Sequence, residues 1–140
     1  MENMKSGELN NFLCTFMCVN RGSSHYEYNR AFFYVPRIYC KDGFSISIQI
    51  HHGNYCASEN GTREFGLNWK LVEWGFPNQE IDGDKYNAEN PEDVCNTVGG
   101  YVEIELIEGL LDEHGGIDYQ KTFEVYTASS RKRYNHEDGV

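Results

Sequence analysis

The sequence predicts one α+β domain, an antiparallel sheet of about five strands with one main helix packed on it. Three observations carry this prediction. "FSISIQI" (44–50) alternates Phe44, Ile46, Ile48 and Ile50 with Ser45, Ser47 and Gln49, the period-two pattern of a strand with one buried face. "YVEIELIEGLLDEHGG" (101–116) spaces Val102, Leu106, Ile107, Leu110, Leu111 and His114 along one face of a helix and closes on two glycines, a helix stop. The links between apolar runs are short and rich in turn residues, which favours hairpins over parallel crossovers.

Taken in order, "FLCTFMCV" (12–19) is a short apolar run that reads as a strand buried on both faces. "AFFYVPRIYC" (31–40) reads as a second strand, with Pro36 removing a ladder donor and marking an edge or bulge. "KDG" (41–43) is a hairpin turn into the strand at 44–50. "LNWKLVEWGF" (67–76) is the fourth strand, with Lys70, Val72 and Trp74 on one face. Residues 77–100 hold acids, Asn, Gly and two prolines with little periodicity and read as a long loop. The main helix falls near 103–114, although "YVEIELI" also alternates as a strand would. "KTFEVYT" (121–127) reads as the last strand, so the domain spans 1–128 and residues 129–140 form a solvated tail.

The chain of 140 residues is the length of one domain, able to bury roughly two thirds of the surface its unfolded form exposes. Eight Phe, ten Tyr and two Trp supply large contact areas and argue against disorder despite the charge. No stretch reaches the roughly 18 to 20 apolar residues of a membrane span, and "MENMKSGELNN" lacks a signal-peptide pattern. The expectation is a cytoplasmic protein with no membrane role, whose five cysteines are reduced thiols.

Charge is distributed unevenly. Residues 1–72 carry seven Lys/Arg against six Asp/Glu, whereas residues 73–124 carry only Lys85 and Lys121 against fourteen acids. The net charge of −10 therefore arises in one contiguous third of the chain. Such a field repels nucleic acid and attracts basic partners.

Several stretches contain reactive residue types. "QIHHGNYCAS" (49–58) holds His51, His52 and Cys56. With Cys14 and Cys18 they would offer a zinc set, but the spacing matches neither a ribbon nor a finger. Cys56 with His51 or His52 as base would offer a thiol nucleophile, yet nothing in the sequence stabilises a thiolate or orients the base. The preferred reading is an exit turn through Gly53 and Asn54. Asp82, Asp84 and Glu89 alternate about a glycine like calcium ligands, but without the glycine position or flanking helices of the calcium loop. The aromatic stretch "HYEYNRAFFY" with Arg21, Arg30 and Arg37 suits a small nucleotide better than a nucleic-acid polymer. No stretch amounts to a catalytic motif, a metal site or a cofactor site.

The turn "HHGNYC", the segment "NWKLVEWGF" and the segment "GGYVEIELIEGLLDEHGG" resemble pieces of small proteins carried by bacteriophages and prophages. In size and charge the chain is similar to phage anti-defence proteins, including anti-CRISPR proteins and DNA mimics. The resemblance carries no residue roles.

The resulting expectation is a non-enzymatic inhibitor in the host bacterial cytoplasm. It would occupy the basic nucleic-acid-binding surface of a host protein or CRISPR effector complex, without binding nucleic acid itself. The carboxylates available are Glu80, Asp82, Asp84, Glu89, Glu92 and Asp93 on the loop and Glu103, Glu105, Glu108, Asp112 and Glu113 on the helix, with Tyr86 and Tyr101 as apolar anchors. The alternatives are a nucleotide-binding protein built on 21–37 and 51–60, and a thiol-dependent hydrolase at Cys56.

Overall fold

The structure, a computed structural model, describes residues 2–21, 35–50, 55–58 and 68–137. The elements in order are α1 (Glu8–Arg21), β1 (Ile38–Tyr39), β2 (Ser45–Gln49), β3 (Ala57–Ser58), β4 (Trp69–Gly75), a 3₁₀ turn (Val94–Asn96), β5 (Val98–Glu103), α2 (Ile104–Glu113) and α3 (Tyr119–Glu137). The α+β class stands, with five strands among the described residues, all of them paired antiparallel. Among the described residues, three α-helices replace the single main helix expected. No helix among the described residues is long and apolar enough to cross a membrane.

β4 is the hub of the sheet and pairs with β2, β3 and β5. The hairpin foreseen at "KDG" joins β1 to β2: Gly43 takes φ +97°, and the Cys40 N–H donates to Phe44 O at 2.7 Å. Its register sets Ile38 opposite Ile46, while β2 sets Ile48 opposite Trp74. β4 and β5 align Val72 with Val102. These side chains are buried, and α2 adds Ile104, Ile107, Leu110 and Leu111 to the same core. Of the strand expected over 31–40, the described residues 35–40 contain Ile38–Tyr39 as strand, after Pro36; residues 31–34 lie outside the described residues.

Two expected strands are helices. The run 12–19 lies within α1, because its apolar period begins at Leu9, ahead of the run. Leu9, Phe12 and Leu13 are buried and Phe16 is half-buried, at the spacing of one helical face. The Glu8 carboxylate, in the first turn, accepts the Lys5 N–H at 3.0 Å and holds the turn that leads into the helix. The run 121–127 lies within α3. Asp118 caps that helix by accepting the Lys121 N–H at 3.1 Å, and Tyr119, Thr122, Phe123 and Tyr126 repeat at helical spacing. α3 continues to Glu137, so the boundary expected at 128/129 falls inside a helix. Rings of α1 and α3 pack together, with Phe16 edge-on to Tyr126 at 4.9 Å and stacked on Phe123 at 6.2 Å.

The ambiguity over 101–107 resolves as both readings in succession. β5 ends at Glu103 and α2 begins at Ile104. α2 stops where the glycines predict: Gly115 and Gly116 have positive φ, and the Gly116 N–H donates back to Leu111 O at 2.9 Å.

Candidate functional site

The segment between β4 and β5 is tied down along its length. The indole N–H of the buried Trp74 donates to Tyr86 O at 2.7 Å. The Glu89 N–H donates to Val98 O at 2.9 Å, and Ala88 bridges Gly99. Asn87, in the left-handed region at φ +56°, donates its side-chain amide to Gly100 O at 2.7 Å. The acidic loop is thereby held against β5, the strand that leads into the acidic helix.

β5 carries a bulge at this point. Val72 pairs with Val102 but Trp74 pairs with Gly99, so Gly100 and Tyr101 together oppose Glu73. A side chain at Gly99 would enter the Trp74 indole, and one at Gly100 would lie 2.6 Å from Tyr55 Cβ; both glycines are there for close approach. Tyr101 follows at φ +53°, donating its N–H to Tyr55 O at 2.9 Å. The two tyrosine rings lie 5.7 Å apart, tilted by 43°. They are 45% and 49% exposed, far more than the core rings they border.

Of the predicted partner-binding residues, Glu80, Asp82, Asp84, Glu89, Glu92, Asp93, Glu103, Glu105 and Glu113 are exposed. Among the described residues, no Lys or Arg forms an ion pair with any of them. Their field acts on Cys95, whose thiol pKa is raised by burial and then by the charges of Glu80 and Asp93.

Glu108, Asp112 and Tyr86 are corrected. Glu108 is buried, and its carboxylate accepts the N–H groups of Gly7 (3.3 Å) and Leu9 (3.1 Å) at the start of α1. Asp112 Oδ1 accepts the N–H groups of Asn3 and Met4, each at 2.7 Å. Both carboxylates serve the fold. Tyr86 is a core residue, 4% exposed, and offers no surface anchor.

The other candidate sites do not assemble among the described residues. His51 and His52 lie outside them, as does most of the proposed nucleotide segment 21–37. Cys56 is fully buried. Burial pushes the Cys40 thiol pKa up to about 12, aided by the Asp42 charge, which disfavours a thiolate at Cys40. Arg37 is engaged internally, donating to Ser45 Oγ at 3.0 Å and to Phe76 O. In the calcium-like stretch, Asp82 Oδ1 accepts the N–H groups of Asp84 (3.2 Å) and Lys85 (3.1 Å), closing a turn. No group of three or more potential metal ligands forms among the described residues.

Sequence reasoning missed Tyr55 and Phe76, which are exposed, Tyr55 just before β3 and Phe76 just after β4. A signal for Tyr55 was its position in the turn-rich "HHGNYC", away from any alternating run. Comparison of the chain with known family models, curated proteins and solved structures finds no match.

Proposed function

We propose that this protein is a non-enzymatic binding protein whose acidic loop and the β5–α2 segment engage the basic nucleic-acid-binding surface of a protein partner. One observation carries the reading: nine exposed carboxylates lie on a loop and a strand–helix segment held together by backbone hydrogen bonds, and no described Lys or Arg forms an ion pair with them. A soluble domain ordinarily intersperses the two signs, because a one-sign field repels itself. A carboxylate array of this kind imitates part of a phosphate backbone, which presents one charge per roughly 1.7 Å of duplex axis. The partner class suggested by the phage-like resemblance is a CRISPR-type effector.

The test is a mobility-shift titration of a guide-loaded CRISPR effector on its target duplex. The native protein should release the duplex at low salt and lose this effect at high salt. A variant with Glu89, Glu92, Glu103 and Glu105 changed to Gln should fail at both. Undisturbed DNA binding with the native protein removes this partner class. Equal inhibition by native protein and variant removes the electrostatic mechanism.

A further inference from the structure

We propose that Tyr55 and Tyr101 form the anchor of this surface, a two-ring platform that takes a cationic side chain, above all an arginine guanidinium, from a basic protein segment. The inference rests on the reading of the acidic surface given above and assigns its central contact. Nearly half of each tyrosine is open to solvent although both border the packed sheet. The rings touch each other at 5.7 Å in a tilted arrangement, which leaves ring face and edge together on one patch. The backbone beneath is built for this display: Gly100 lets Tyr55 approach the bulge, and the Tyr101 N–H to Tyr55 O hydrogen bond holds the two residues in register.

Charge complementarity selects the occupant. Among the described residues, carboxylates border the platform: Glu103 lies two residues along β5 from Tyr101, Glu73 lies opposite the bulge on β4, and Glu89 is bonded through its backbone to Val98 on the same strand. A nucleic-acid base would stack on these rings but would bring its phosphate into a field of the same sign. A guanidinium offers a planar face to the rings and donors to the carboxylates at once. The ammonium of lysine supplies charge without the planar face, so arginine is preferred.

The test uses the full chain and fluorescent nona-arginine and nona-lysine peptides, titrated at low and moderate salt, with a single-stranded oligonucleotide as a third probe. Two variants remove one ring each: Tyr55→Ser and Tyr101→Asn, the latter because Asn tolerates the left-handed region. Circular dichroism and thermal melting of both confirm that the fold is retained, and either folded variant decides the question. The expected result is that nona-arginine binds more tightly than nona-lysine and that each variant weakens nona-arginine binding by about three- to tenfold, with the residual affinity still salt-dependent. Salt-dependent binding that is unchanged in folded variants overturns the platform and leaves the acidic surface standing. Salt-insensitive binding lost in the tyrosine variants but kept when Glu89 and Glu103 are changed to Gln overturns the acidic surface and leaves an aromatic site. Binding of the oligonucleotide in preference to both peptides, or of no probe, overturns the proposal.

Discussion

The carboxylate of Glu108, on α2, accepts the backbone N–H of Leu9 at 3.1 Å, joining the first turn of α1 to a helix 99 residues away in sequence. The first N–H groups of a helix have no partner within it, and their positive end favours an anion. Glu108 supplies both from inside the protein. Glu108→Ala should therefore destabilise the fold by about 1–3 kcal/mol, because the buried Leu9 N–H and the part-buried Gly7 N–H lose their acceptor. Glu105→Ala, on the exposed face of the same helix, should stay within about 0.5 kcal/mol. Urea unfolding of the two variants checks the contrast.

His114 stacks on Phe44 at 4.0 Å and places Nδ1 2.7 Å from Asp42 Oδ2, linking the end of α2 to the β1–β2 hairpin. Burial pushes the Asp42 pKa up, but the hydrogen bonds from the Phe44 N–H and His114, with the His114 charge, outweigh it and hold it below the ordinary value. A depressed folded-state pKa means that the unfolded chain takes the proton first as pH falls. The stabilisation is complete above the ordinary carboxylate range, about pH 3.9, and disappears as pH falls through the lower folded value. Asp42→Asn should lower the melting temperature at pH 7, and the difference from the native protein should close toward pH 2–3. A difference that stays constant with pH would show that the carboxylate charge plays no part.

Gly99 and Gly109 should respond to alanine in opposite directions. A Cβ at Gly99 would enter the Trp74 ring, whereas one at Gly109 meets nothing within 4 Å in the body of α2. Gly99→Ala should cost about 1–3 kcal/mol through overpacking at the bulge. Gly109→Ala should stabilise by about 0.5–1 kcal/mol through helix propensity. Thermal unfolding of the pair reads both signs.

Phe76 is 52% exposed and sits in the left-handed region at φ +51° directly after β4. A bulky residue there carries about 1–2 kcal/mol of backbone strain that glycine does not. Phe76→Gly should raise stability by about 0.5–1 kcal/mol, after the larger entropy that glycine loses on folding. A drop in melting temperature would mean that the ring makes packing contacts that outweigh the strain.

Local pattern by itself determined several elements. The two-residue alternation of 44–50 made β2 a strand, Asp42 and Gly43 made its hairpin, and Gly115 with Gly116 ended α2, because each depends on interactions within a few residues. The concentration of acids in residues 73–124 was equally plain, since it is a property of composition. α1 and α3 were not legible as helices. An eight-residue run rich in aromatics, Cys and Met fits a buried strand or a helical face equally well, and the choice came from remote partners. Glu108 holds the start of α1. Tyr39 holds the start of α3, its carbonyl accepting the Asp118 N–H at 2.7 Å and its N–H donating to Thr122 Oγ1 at 3.0 Å. The same long-range packing sorted the carboxylates of α2. Sequence spacing could place Glu105, Glu108 and Asp112 near one another, but only the docking of the N-terminal segment and α1 decided that Glu108 and Asp112 close the fold while Glu105 faces solvent. The Tyr55–Tyr101 pair likewise depended on the third dimension, because the bulge at Gly100 joins two residues that no periodicity connects.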